Sequence, residues 1–198
     1  MTSPEQTKAI YRLRAKLMTG LEGGTTLNLT SGAIHRTIST CATGMMNWHG
    51  VVIGAGDGLV PAIMLEHGAT SSSGVEFNSF PGGGPQLASK RMVKAAGDQP
   101  CKIEWDKDVL ELKDLEELVE QHNGPIVAYG FDDSIPPEAR CHWYDLLEEN
   151  LQVQKVATTW HHGLDLDDLL PSFAQIAKFR VAMEGGNCSR TMLVLERT

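Results

Sequence analysis

The loop Gly54-Ala55-Gly56-Asp57-Gly58 stands between a β-branched run and a helix-like stretch. Glycines in that place let a backbone approach a ligand closely, and a helix N-terminus behind them favours a polar or anionic group. The spacing differs from the dinucleotide pattern G-x-G-x-x-G, because Leu59 stands where the third glycine belongs and Gly58 comes one residue early. It also lacks the Lys and Ser/Thr of a P-loop. A plain tight turn is the alternative reading. Glu76, in Gly74-Val75-Glu76-Phe77, ends the next strand-like run. An acid there can accept two hydrogen bonds from ribose hydroxyls, or it is an ordinary strand-end acid. Asp106-Lys107-Asp108 follows a third run, and Asp108, next to Val109, is the better placed to face an adenine amino group. A solvated charged loop explains it equally well. Gly130-Phe131-Asp132-Asp133-Ser134 follows a fourth run, where catalytic residues concentrate. Asp132 can bind or deprotonate a nucleophile there, or serve as a turn acid ahead of Pro136-Pro137. Thr158 to His162 should share the same rim. His161-His162 has no metal-ligand spacing around it, so no metal site is expected.

The elements that must position these residues follow from periodicity. Short runs at 50–54, 72–77, 101–105, 125–131 and 153–160 read as strands. They alternate with helical stretches at 58–67, 85–96, 112–122 and 137–149. Alternation of this kind predicts βαβ units and a doubly wound, mostly parallel sheet. Residues 173–184 and 189–197, joined by Gly185-Gly186-Asn187, read as an antiparallel hairpin. Residues 5–18 and 31–48 read as N-terminal helices, with Gly44 a breaker in the second. The expected organisation is a helical cap over 1–48 and a ligand-binding α/β domain over 49–198.

Composition narrows the classes. The chain has 198 residues, a net charge of −8, 41% hydrophobic and 21% charged residues. That mix suits a soluble globular domain. No apolar run approaches the ~20 residues that span a bilayer, so no membrane role is expected. The acidic balance argues against gripping nucleic acid by bulk charge. Cys41, Cys101, Cys141 and Cys188 are scattered, which fits a reducing, cytoplasmic or nuclear setting.

The ordered set VVIGAGDG, GVEFN, the acid near Asp108, AYGFDD and the closing hairpin resembles the class I S-adenosylmethionine-dependent methyltransferases. The resemblance implies a seven-stranded sheet with one antiparallel strand, S-adenosylmethionine as cofactor, and a protein or small-molecule methyl acceptor. It implies a cofactor site of Gly54, Ala55, Gly56, Asp57, Gly58, Glu76, Phe77, Asp108 and Val109. It places Asp132 or Tyr129 towards the acceptor, with Phe131 as an apolar wall or a cation–π partner for an ammonium. FDDSIPPEARCHWYDLLEEN and FRVAMEGGNCSRTMLVLER are further similar to the disruptor-of-telomeric-silencing type of non-SET lysine methyltransferases. In two places the chain departs from these patterns. Val52 stands where class I enzymes usually carry a first-strand acid, and Tyr129-Gly130-Phe131-Asp132 replaces the Asn-rich loop of the lysine enzymes. Two alternatives stay open: a binding module without transfer, and an enzyme that cleaves the cofactor. The acidic rim of Asp132, Asp133, Asp165, Asp167 and Asp168 ranks a basic acceptor above nucleic acid.

Overall fold

The computed structural model describes residues 29–56, 58–76, 90, 93–94, 96–97, 100–105, 112–130, 137–160, 165–183 and 189–198. The expected helix at 5–18 and most of the one at 85–96 lie outside them. The described elements are α1 (Ser31–Ala42), β1 (His49–Ile53), α2 (Leu59–Glu66), β2 (Ser71–Glu76), β3 (Cys101–Trp105) and α3 (Leu112–Glu120). β4 (Ile126–Gly130), α4 (Pro137–Glu149), β5 (Val153–Thr159), α5 (Leu166–Leu169), β6 (Phe173–Ala182) and β7 (Ser189–Arg197) complete the chain.

The strands form one seven-stranded sheet in the order β3-β2-β1-β4-β5-β7-β6. β1 to β5 pair in parallel, and β7 runs antiparallel to both β5 and β6. The hairpin expected from the sequence is present, with β7 inserted between β5 and the edge strand β6. β1 and β4 have apolar side chains on both faces, as parallel strands covered on both sides must. One apolar layer joins the sheet to α1 and α2 through Ile34, Ile38, Leu59, Ile63, Val52 and Val194. The other joins it to α3 and α4 through Leu115, Leu118, Trp143, Leu147, Val51 and Ile126. The strand order reverses between β1 and β4, and open α/β sheets bind ligands at the carboxyl ends of the strands beside such a point.

α1 ends at Ala42, not at Trp48. Thr43 is extended and Gly44 has φ +76°, a left-handed turn that stops the helix. Within the helix and at its C-cap, Thr37, Thr40 and Thr43 donate their hydroxyls to the carbonyls of Ala33, Arg36 and Ser39. These back-bonds occupy the polar groups of an otherwise β-branched helix. The buried ammonium of Lys155 fastens the helix end to β5, donating to the Thr43 carbonyl at 2.7 Å and lying 3.2 Å from Glu196. Arg197 of β7 closes the other layer. It donates to the carbonyls of Leu147, Glu148 and Asn150 at the end of α4, and to that of Val153. Helix-end carbonyls have no partner within the helix, so one guanidinium caps α4 and ties it to the sheet.

The amino-terminal edge of the sheet carries a histidine stack. His49 of β1 bonds Ser71 at 2.7 Å and stacks on His122, with ring centroids 4.7 Å apart. His122 Nε2 lies 2.9 Å from Ser73 Oγ, which also accepts from Gln121 Nε2. Burial, then the neighbouring His49, pushes the pKa of His122 down to about 4. An unfolded histidine takes its proton near pH 6.5. Stability from keeping His122 neutral is therefore complete above pH 6.5 and is lost as pH falls towards 4. Between pH 7.5 and 4.5, urea unfolding should show the wild type losing about 1–2 kcal/mol more than His122→Gln, after discounting for partial solvent contact. Equal losses would remove His122 from the acid sensitivity.

Candidate functional site

The glycine loop leaves the carboxyl end of β1 beside the point where the strand order reverses. Its first two amides, Gly54 N–H and Ala55 N–H, both donate to the Val75 carbonyl at 3.0 Å. The loop is thereby pinned across the end of β2. Gly54, Gly56 and Gly58 have φ of +69°, +54° and +84°. An L side chain at these values costs about 1 kcal/mol or more at each, so the alternate glycines are a requirement of the turn. A Cβ on Gly54 would meet nothing within 4 Å, so open space lies beside that turn. Gly58 N–H donates to the Ala55 carbonyl at 2.9 Å, and Gly58 then caps α2 without a side-chain partner for the helix amides. A helix start of this form presents N–H dipoles to whatever lies before it.

Glu76 is the second part. Its Oε2 accepts the Gly56 N–H at 2.6 Å. A hydrogen bond this short to a carboxylate is charge-assisted, worth about 1.5–3 kcal/mol. It joins the end of β2 to the apex of the glycine loop. Val52, at the position of the missing first-strand acid, is fully buried in the apolar layer under α2. The loop is instead oriented by the acid one strand away. That substitution of roles is not visible in the sequence, where Glu76 reads as a ribose-facing acid or an ordinary strand-end acid.

Gly74 is a site residue that sequence reasoning quoted without giving it a role. It pairs with Val52 in mid-strand. A Cβ there would stand 2.8 Å from Ala55 Cβ and 3.0 Å from the Val52 carbonyl oxygen. The loop rests directly on this glycine. Its signal was available: a glycine inside a strand marks a close approach of another backbone. Gly50 is the opposite case. It opens the run read as a strand from the sequence, lies in the first half of β1, and its missing side chain makes room for Met64 Sδ of α2. Gly50 serves helix packing.

β4 brings the next pair. Tyr129 is 2% exposed and belongs to the apolar layer that holds Val52 and Leu59, so its ring is part of the core between the sheet and α1–α2. Gly130 ends the strand where a Cβ would come within 3.0 Å of Ile53 and 3.3 Å of the Trp143 indole nitrogen. Trp143 Nε1 is buried and has no hydrogen-bond partner among the described residues. On β5, Thr158 bonds the Tyr144 hydroxyl of α4 at 2.8 Å. Asp165 caps α5 by accepting the Asp167 N–H, so one acid of the expected rim has a structural task. Asp57, Phe77, Asp108, Val109, Phe131 and Asp132 lie outside the described residues, as do Asp133 and His161-His162. Among the described residues, no group of three or more His, Cys, Asp or Glu side chains could hold a metal ion.

The described site therefore unites Gly54, Ala55, Gly56, Gly58 and Glu76 in one hydrogen-bonded unit at the carboxyl edge. No family model matches the chain, and no curated protein matches it. Solved structures do. A SAM-dependent methyltransferase from Anabaena variabilis aligns with a TM-score of 0.60 over 99% of this chain and 96% of that one, at 10% identity. A ribosomal protein L11 methylase from Lactobacillus delbrueckii subsp. bulgaricus aligns at 0.54 over 85% and 79%, with 16% identity. A glycopeptide N-methyltransferase aligns at 0.54 over 85% and 95%, with 15% identity. The chain has the class I methyltransferase fold, with its seven-stranded sheet and single antiparallel strand.

Proposed function

We propose that this chain is an S-adenosylmethionine-dependent methyltransferase acting on the nitrogen of a basic protein side chain or a small amine. One observation carries the cofactor half: the carboxylate of Glu76, bonded to Gly56 N–H across three left-handed glycines. That unit fits the group. The turn exposes backbone without side chains, and an acid stands where ribose hydroxyls would meet it. When bound, the cofactor supplies a methyl group already made electrophilic by its sulfonium. The protein then needs alignment and exclusion of water more than covalent chemistry. Gly54, Gly56 and Gly58 would pass beneath the methionine and ribose, Glu76 would hold the ribose and Asp108 the adenine. Asp132 would hold or accept the proton of the acceptor, beside the Phe131 wall. The acceptor half of the reading rests on the exposed acids Asp165, Asp167 and Asp168 near the end of β5.

A second reading, cofactor binding without transfer, is favoured by Val52, which leaves β1 without an acid. Incubation with S-adenosylmethionine and a panel of basic peptides and small amines separates the two. Transfer yields S-adenosylhomocysteine only when an acceptor is present. Binding without that product supports the second reading. Methylthioadenosine or homoserine lactone formed without acceptor marks cofactor cleavage and contradicts both.

A further inference from the structure

Beyond the end of β5 the chain builds a cavity of about 500 Å³ that the loop and Glu76 do not touch. Its walls include Trp160, Asp165, Leu166, Asp167, Lys178 and Leu193. Three elements make it: the residue following β5, the start of α5, and the β6–β7 pair. Trp160 is held there by its backbone, whose N–H donates to the Thr191 carbonyl of β7 at 2.8 Å. Leu166 and Trp160 pack on the apolar layer beneath, and Leu193 belongs to it, so the floor is greasy and fixed. The rim is charged. Asp165 and Asp167 are exposed, and Asp165 is fixed by capping α5.

The occupant's chemistry is shown by what already sits at the aromatic wall. The ammonium of Lys178 lies 5.1 Å from the centre of the Trp160 ring. An indole face attracts cations through its quadrupole. Lys178 reaches this face from the exposed strand β6, as a side chain that can swing away into water. Among the described residues two carboxylates stand against one ammonium, so that part of the charged lining is negative. The pocket is an aromatic and acidic site in which the chain's own lysine is the resident cation.

Its position relates it to the transfer site. Gly130, the last residue of β4, pairs with Thr158 on β5. Trp160 is two residues further along the neighbouring strand. Strand spacing and rise place its backbone about 8 Å from Gly130. In an extended peptide, residues i and i+2 are roughly 7 Å apart and point to the same side.

From this we propose that the Trp160–Asp165–Asp167 pocket is a specificity subsite for a lysine or arginine side chain of a basic peptide substrate, close in sequence to the methylated residue. The proposal rests on the methyltransferase reading for its purpose, but not for the binding itself. The incoming cation displaces Lys178 from the ring and takes its place between the indole face and the two carboxylates. Lys178 is thus a competitor, and its removal should strengthen binding.

The test titrates a fluorescein-labelled peptide, Gly-Lys-Ala-Lys-Gly, into the full chain and follows anisotropy at low salt. Wild-type protein should bind it, and a peptide with glutamate for both lysines should not. Trp160→Leu should weaken binding roughly tenfold, Asp167→Asn about fivefold, and Lys178→Ala should tighten it about threefold. Should Trp160→Leu fail to fold, the two exposed variants carry the test, since both stand on the surface. Several results would overturn the proposal: no binding of the lysine peptide by wild type, equal binding of the glutamate peptide, or weaker binding by Lys178→Ala. Calorimetry with S-adenosylmethionine on the same proteins keeps the two readings apart. Cofactor binding with the wrong peptide pattern defeats the subsite alone. The expected peptide pattern without cofactor binding defeats the methyltransferase reading and leaves the pocket standing.

Discussion

Glu76→Ala should lower the affinity for S-adenosylmethionine about a hundredfold and cost about 1.5–3 kcal/mol of stability, the worth of its bond to the loop. The carboxylate does two jobs. It accepts the Gly56 N–H at 2.6 Å, which holds the apex of the loop against β2. On the proposed reading it would also meet the ribose hydroxyls of the cofactor. Alanine removes both, and two charge-assisted hydrogen bonds are worth about 3 kcal/mol, or a hundredfold in affinity. Most of the fold does not depend on it, because Glu76 ends its strand and lies outside both apolar layers. Glu76→Gln keeps an oxygen for Gly56 and loses the charge, so it should fall between, about tenfold weaker. Equal affinities for glutamine and alanine would mean that the charge alone matters and the tether to the loop does not.

Gly74→Val is expected to damage the fold at least as much, and to disable the site by a different route. A Cβ at this position alone meets Ala55 Cβ at 2.8 Å and the Val52 carbonyl at 3.0 Å. Neither neighbour can rotate away. Ala55 is 3% exposed and its amide is bonded to Val75, and Val52 is in the middle of the sheet. Overpacking of this kind costs about 2–3 kcal/mol. The strand or the loop must move, so cofactor affinity should fall together with stability. Gly50→Ala is the control. Its Cβ runs into Met64 Sδ, the far part of a flexible though fully buried side chain, with Ser72 Oγ at 3.0 Å beside it. Its cost should be about 1 kcal/mol, with cofactor affinity unchanged. Urea unfolding and calorimetry on the two variants decide the matter. Comparable effects from both would show that the loop does not depend on its seat over Gly74.

What the sequence reveals is local. The β-branched runs separated by helical stretches announce a parallel sheet, and β1, β3 and α4 fall within a residue of where periodicity puts them. The loop and Glu76 stand out because glycine and acid occur at strand ends, where their local form is enough to suggest a role. What stays hidden depends on partners far along the chain. Nothing in residues 189–197 says that β7 slips between β5 and β6, since a hairpin turn specifies one pairing and not the other. The burial of Tyr129 is hidden for a related reason. β4 is covered on both faces, so Ile126 to Gly130 show no alternation from which to tell core from rim. α5 is a single turn of Leu166–Leu169, too short for a periodic signal, and its cap Asp165 reads in the sequence only as an acid of the rim. The role of Glu76 as the loop's own tether required knowing that β2 lies beside β1 with Val75 opposite Ile53.

The central claim is that the glycine loop and Glu76 together form a cofactor cradle. Calorimetric titration of S-adenosylmethionine into the wild-type chain, beside Glu76→Ala, tests it most directly. The account predicts saturable one-to-one binding by the wild type, in the micromolar range, and binding about a hundredfold weaker in the variant. Absence of binding heat with the wild type at millimolar cofactor, or equal affinity in the two proteins, would contradict it.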